Sequence, residues 1–423
     1  MNWQIEGDMN TSFFHKITKI RQASKALFTL RDGEHILVNQ EQIAQHTLAY
    51  FTDLYVSPND VRPNQLIQSV IPTLVSEEDN MMLTKHPSRE EIKLEVFNMK
   101  GEDAPGLDGF GGCFYQSCWD VVEDDVCKFV SQFFREIWLL PNLNSNNVVL
   151  IPKHHDADKI EDFRPFALAN FQFKIITKIL ASRLVVIAPK IRGFLKDRHI
   201  QDCICLASED ANLLDYKTIG GNLAIKLDIK KAFDTLDWIF LQDTLNGFGF
   251  NVKVILHSTK LSININGEYV GFVHCLRGVR QEDHISPLLF SLAEDVFSRG
   301  ISKLVVEGKL NPISGPSGLK TTSHVLYTDD ILIFCKGLKS NLLALKSLIH
   351  DYAHASGQHV NLAKCKFYTC RGAARRIQNL SEILGFTAGS LPFNYLGVPL
   401  FKGKSRRMHL QPIAHKIIAK LAT

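Results

Sequence analysis

Nowhere in the chain's 423 residues is there an apolar run approaching the roughly 18 residues that a membrane-crossing helix requires. The opening MNWQIEGDMN lacks the basic-then-apolar pattern of a secretory signal. Cysteine is sparse: the 9 residues are scattered, Cys203 and Cys205 are among the nearest neighbours, and no C-x-x-C pair suggests a zinc knuckle or redox motif. Buried or idle reduced thiols are expected. Internal repeats and low-complexity tracts are missing too. These absences argue against a helical membrane protein, a disulfide scaffold and a solenoid. They lead to the expectation of an intracellular protein, nuclear and/or cytoplasmic, that is not secreted.

What is present is the composition of a globular protein, 45% hydrophobic and 22% charged, long enough for two or three domains at about 150 residues each. The net charge of +4 is unevenly placed. From Asn361 to Thr423 eleven Lys and Arg face the single acid Glu382, a local +10 that leaves −6 on the rest. Such a segment is either a solvated face or a contact for a polyanion.

Two adjacent acids, Asp329 and Asp330, sit in HVLYTDDILIF between short β-branched and aromatic runs, which predicts a tight hairpin with the pair at its tip. Asp is a favoured turn residue, so a purely structural role is one explanation. A divalent metal site is the other, because like carboxylates held together are costly without a neutralising cation or proton. In NLAIKLDIKKAFDTLDW, Leu223, Ile225, Leu227 and Ile229 alternate, so they share one face of a strand while Ala224, Lys226 and Asp228 share the other. A helix follows, with Asp234 or Thr235 as the expected cap, a stripe of Leu236, Phe240, Leu241 and Leu245, and a stop at Gly247. Elsewhere, SREEIKLEVFNMK predicts a helix capped by Ser88. NNVVLIPKHH predicts a short strand reaching Lys153, and FKIITKILASRLVVIAPKI an amphipathic helix with Lys174, Lys178 and Arg183 off its apolar face.

In order along the chain, LIPK, DFRPFAL, KLDIKKAFD, RGVRQEDHISPLLF, YTDD, GQHVNLAK and NYLGVPL resemble the reverse transcriptase of LINE-type (non-LTR) retrotransposons, the plant ones most. The opening EGDMNTSFFHKITKIR resembles the connector ahead of that polymerase. The resemblance implies an α+β right-hand polymerase: a helical connector over 1–85, fingers over 86–200, a palm with an antiparallel sheet over 201–395, and the start of a truncated thumb over 396–423. It implies RNA-directed DNA synthesis on an RNA template and DNA primer from deoxynucleoside triphosphates. Two Mg²⁺ ions would be held by the catalytic carboxylates Asp228, Asp329 and Asp330. Lys153 and Arg164 resemble the residues that hold the triphosphate, and Phe233 the ring that excludes a ribose 2′-OH. Gln281 and Ser286 fall where nucleotide and template strand are lined. Lys364 resembles a lysine near the leaving pyrophosphate, and Tyr395, in NYLGVPL, the primer-grip side. Lys402, Lys404, Arg406 and Arg407 of the basic tail would contact nucleic-acid phosphates.

The chain departs from the family at Glu282 and His284, where Gly and Pro are usual. A side chain at 282 obstructs the nucleotide, and an anionic one repels it: at about 4 Å and an effective dielectric near 20, like charges cost on the order of 4 kcal/mol. Leu107 and Thr328 replace the usual Pro and Ala. The connections APKIRGFLKDRH and NGFGFNVKVILHS are shorter than usual. An impaired polymerase is therefore expected. The alternatives are a non-catalytic nucleic-acid-binding remnant, or an unrelated metal-dependent nuclease.

Overall fold

The computed structural model describes residues 27–56, 61–62, 64–137, 145–154, 156–191, 200–251, 260–266, 268–319, 321–369, 374–404 and 406–421. The expected connector motif within residues 1–26 and the C-terminal parts of the two shortened connections, 192–199 and 252–258, lie outside them. Among the described residues, no helix is long and apolar enough to cross a membrane.

The described chain mixes helices and sheets. A hairpin of β1 (Leu30–Asp32) and β2 (His35–Leu37) opens it, turning at Gly33 with φ +59°. Strands β3 (Ser145–Pro152), β4 (Phe163–Ala169), β6 (Lys260–Ile265) and β7 (Glu268–His274) form one sheet in the order β4-β3-β6-β7, parallel only between β3 and β6. The helix Gln40–Val56 covers this sheet, burying Ile43, Phe51, Leu54 and Tyr55 against Val148, Ile263 and Val273.

The second sheet comprises β5 (Asn222–Asp228), β8 (His324–Tyr327), β9 (Asp330–Lys336) and β10 (Lys366–Tyr368), ordered β10-β5-β9-β8 and antiparallel throughout. The predicted alternation on β5 holds. Leu223, Ile225 and Leu227, with Ile331, Ile333 and Cys335 of β9, face a core shared with the helices Trp238–Phe248, Ser286–Val306 and Lys339–Ser356. Ala224, Leu332 and Phe334 face the opposite core, which includes Cys203 and Ala207 of the helix Ile200–Asn212. Phe393, Tyr395 and Leu400, from the small pair β11 (Phe393–Tyr395) and β12 (Val398–Leu400), complete that second core. With apolar side chains required on both faces, a one-residue slip of β5 would exchange two cores at once, so its register is tightly specified. Phe290 at the centre of the first core is fully buried, and its truncation to Ala would cost about 3–5 kcal/mol.

Local expectations were corrected in four places. Asp237, not Asp234 or Thr235, caps the helix Trp238–Phe248, accepting from the amides of Ile239 and Phe240 at 2.9 and 3.0 Å. Asp234 is instead buried and engaged elsewhere. That helix ends at Gly249 (φ +96°) and passes through Gly247, because only the later glycine adopts the left-handed conformation of a C-cap. The helix Phe171–Ile187 is buried nearly all round, with Lys174 and Arg183 inside. Arg183 is tolerated there by a two-pronged pairing with Glu91 at 2.9 and 3.0 Å, plus the carbonyls of Leu83 and Lys85. The hairpin turn is Thr328-Asp329, with Asp330 already the first residue of β9. Ser88 does cap the helix Arg89–Asn98 by accepting from Glu91 N at 3.2 Å.

Candidate active site

The last residue of β5 is Asp228, and the antiparallel register sets it directly opposite Asp330, the first residue of β9. Cross-strand partners share a sheet face, so both carboxylates project on the side of Lys226. Asp329, one residue earlier, is exposed in the turn, preceded by Thr328 at φ +51°, a conformation uncommon for a β-branched residue. The Thr328 hydroxyl donates to the carbonyl of Tyr327 at 2.7 Å and to Asp329 Oδ1 at 3.1 Å, which holds the turn.

Asp228 and Asp329 open into one cavity of ≈ 930 Å³. Its wall also carries Lys153, Arg164, Phe233, Gln281 and Lys364, residues drawn from five separate stretches of sequence. Lys153 directly follows β3; its ammonium donates to the carbonyl of Glu161 and its amide to that of Asp162. Arg164 is exposed on neighbouring β4, opposite Ile151. The Phe233 ring stacks on Phe290, with centroids 4.3 Å apart, and also lines the cavity. Lys364 lies in a turn tied to β5 through Asn361 N, which donates to the Asp228 carbonyl at 2.7 Å.

Charge in the cavity is strained. Burial raises the Asp228 carboxyl above its usual range; Lys364 works against that and Asp329 adds to it. Burial likewise raises Asp330, and Lys226 opposes it with its Nζ 3.6 Å away. Desolvation lowers Lys153, and the neighbouring charge of Lys364 adds to the effect. Carboxylates short of charge neutralisation, facing clustered ammonium groups, form a place where a metal-bound polyanion satisfies both sides.

Seven of the sequence-predicted residues do not line this cavity. Asp330 is drawn toward Lys226. Ser286 is buried at the start of its helix, in the wall of a separate small apolar cavity with Phe173, Leu245 and Leu289. Tyr395 is fully buried beneath the sheet, its hydroxyl 3.4 Å from the carbonyls of Val325 and Asp330. In the tail, Lys402 pairs with Asp215, and Lys404, Arg406 and Arg407 are exposed. Among the described residues, no three His, Cys, Asp or Glu side chains are gathered closely enough to hold an ion. The two carboxylates that do share the cavity, Asp228 and Asp329, are oxygen donors of the kind that suit a hard divalent cation whose other positions are taken by water or a ligand.

Several wall residues had no local signal. Tyr50, Phe51 and Leu54 come from the helix Gln40–Val56, and Lys231 Nζ sits 4.2 Å from the Tyr50 ring centre. Tyr55 and Gln281 both donate to Asp234 Oδ1, at 3.0 and 3.1 Å. The loop carrying Gln281 is fastened by Gly278 N to the Leu236 carbonyl and Val279 N to the Phe233 carbonyl, both 2.7 Å. Gly278 has φ +86°, and a Cβ there would lie 2.8 Å from the Asp234 carbonyl, so this approach requires glycine. Glu282 follows on the cavity wall, exposed, with φ +74°. Its backbone explains why glycine suits that position, beyond the space a side chain would take.

Paired carboxylates and clustered cations thus line one large cavity on a mixed helix-and-sheet scaffold. The chain belongs to the reverse transcriptase (RNA-dependent DNA polymerase) family, whose model matches residues 151–400. It is 27% identical over 374 residues to the Transposon TX1 uncharacterized 149 kDa protein of Xenopus laevis, a match covering 84% of this chain and 28% of that relative. It is 26% identical over 257 residues to the Retrovirus-related Pol polyprotein from type-2 retrotransposable element R2DM of Drosophila melanogaster, covering 57% and 23%. A type-1 element R2 polyprotein of Nasonia vitripennis matches at 24% over 276 residues, covering 62% and 26%. The chain thus spans about a quarter of the length of these relatives.

Proposed function

We propose that this chain is the polymerising part of a retrotransposon reverse transcriptase, joining deoxynucleotides to a DNA primer on an RNA template. The carrying observation is the convergence of Asp228 and Asp329, about a hundred residues apart in sequence, on one cavity with Lys153, Arg164, Phe233, Gln281 and Lys364. In this reading residues 1–85 are a connector, 86–200 the fingers, 201–395 the palm and 396–423 the beginning of a thumb.

Asp228 and Asp329 would hold divalent cations, two Mg²⁺ ions by family resemblance, which would supply positive charge to the primer oxygen and the pyrophosphate. Lys153 and Arg164 take the triphosphate, the guanidinium as a fixed planar donor and the ammonium as a point charge. Lys364 lies on the Asp228 side of the cavity and receives the negative charge that develops on pyrophosphate. Phe233 is held by its stack on Phe290, so its ring cannot yield to a ribose 2′-OH. Asp330 contributes charge beside Asp228 while Lys226 restrains it. Tyr395 and Ser286 act from beneath the surface, keeping sheet and helix in place rather than touching nucleic acid.

Glu282 favours a second reading, a nucleic-acid-binding remnant without turnover, since it adds an anion to the wall that would receive a triphosphate. Primer extension on an RNA template with Mg²⁺ tests both. Extension that Asp329→Ala abolishes supports the polymerase. Retardation of the template–primer without extension supports the remnant, and degradation of the template would overturn both in favour of a nuclease.

A further inference from the structure

The helix Gln40–Val56 lies outside residues 151–400, yet its Tyr50, Phe51 and Leu54 line the cavity. Tyr55, near its C-terminal end, donates its hydroxyl to Asp234 Oδ1 at 3.0 Å, and the same oxygen accepts from Gln281 Nε2 at 3.1 Å. Asp234 and Tyr55 are both buried, so the shared oxygen is shielded from competing water. Gln281 is half-buried and lines the cavity. The helix is also clamped to the Gln281 loop by backbone: Leu276 N donates to the Tyr55 carbonyl at 2.9 Å, and Arg277 Nε to the Leu54 carbonyl at 2.7 Å.

We propose that Tyr55 is a positioning residue for the nucleotide site, orienting the Gln281 amide through their common acceptor, Asp234. This rests on the polymerase reading, in which Gln281 faces the nucleotide. The physical argument is one of over-determination. A half-exposed glutamine has three side-chain torsions and loses considerable freedom when fixed. An acceptor that could itself rotate would fix it poorly. Tyr55 prevents that rotation, because its ring is packed parallel to Phe51 with centroids 6.1 Å apart and its hydroxyl occupies the same Asp234 oxygen. Burial holds the Asp234 carboxyl above its usual range, and the two donated hydrogen bonds and Lys231 oppose the shift. Removing either donor therefore loosens the carboxylate that holds the other.

The test is a double-mutant cycle on the full chain, read by binding of a fluorescent deoxynucleoside triphosphate. The complex carries an RNA template, a DNA primer ended by a dideoxynucleotide, and Mg²⁺, so no catalysis is required. Tyr55→Phe removes one hydroxyl and keeps the ring. It is expected to weaken nucleotide binding about tenfold, the scale of a hydrogen bond to a charged group. In a Gln281→Ala background the same substitution is expected to change binding by less than about twofold, because nothing remains to be oriented. A merely structural tyrosine would weaken binding equally in both backgrounds, and that result overturns the proposal. Unchanged binding in Tyr55→Phe, with the unmodified chain binding normally, overturns the positioning role alone. No nucleotide binding by the unmodified chain overturns the polymerase reading and this inference with it.

Discussion

Asp228 and Asp330 face each other across β5 and β9 as register partners, and Lys226, two residues before Asp228 on the same face, reaches Asp330 at 3.6 Å. The ammonium also donates to the Asn394 carbonyl at 3.0 Å, so it is anchored beside the pair. Lys226 thus supplies part of the positive charge that three neighbouring carboxylates require.

Lys226→Met is expected to release Asp330 toward Asp228. Loss of a partly exposed ion pair costs only about 1 kcal/mol. The larger consequence is a greater rise in melting temperature on adding Mn²⁺ than the unmodified chain shows, because a third carboxylate becomes available to the ion. Equal Mn²⁺-dependent shifts in the two proteins would show that Asp330 takes no part.

Glu282→Gly should relieve two costs. A non-glycine residue at φ +74° is disfavoured by about 1 kcal/mol, so urea unfolding should show a stability gain of that order. Removing the anion from the cavity wall should also strengthen nucleotide binding several-fold, more at low salt than at high. If stability rises and binding does not, the carboxylate points away from the ligand.

Asp210 predicts a pH dependence away from the cavity. It is buried near the C-terminal end of the helix Ile200–Asn212, where the helix dipole disfavours an anion. Burial chiefly pushes its carboxyl up to about 7, Glu209 adds to this, and a backbone hydrogen bond from Thr322 opposes it. The ordinary value is 3.8, so between about pH 4 and 7 the folded chain keeps a proton that the unfolded chain releases. Stability therefore falls as pH rises through that window. Asp210→Asn should flatten this slope and stabilise the protein at pH 8 by about 2 kcal/mol. A melting profile that keeps its slope in the variant would place the titration elsewhere.

The basic tail should act unequally. Lys402 is already paired with Asp215, whereas Lys404 and Arg407 are exposed on either side of the start of the last helix, Arg407–Leu421. Neutralising Lys404 and Arg407 should reduce the slope of log affinity against log salt by about 1 to 2 for an RNA–DNA duplex, and neutralising Lys402 by clearly less. Identical slopes in all variants would make the tail a solvated face.

Much of the scaffold was legible locally because its signals are local. Alternation on β5 assigned Leu223, Ile225 and Leu227 to one core and Asp228 to the other side, since strand side chains alternate whatever they pack against. Ser88 announced its helix because capping is settled within one turn. The order of seven short motifs was enough for the family. Tertiary structure alone decided the rest. Lys174 and Arg183 carry the charge of surface residues, but the helix bearing them is enclosed on nearly every side, and Glu91, 92 residues from Arg183, makes that burial tolerable. Asp234 looked like a cap until Tyr55, 179 residues away, claimed its oxygen. The convergence of Asp228, Asp329 and Lys153 depends on which strands pair, and pairing is chosen by the shapes of whole apolar faces meeting across the chain. A sequence records the faces one residue at a time; which faces meet is fixed only when the chain closes on itself.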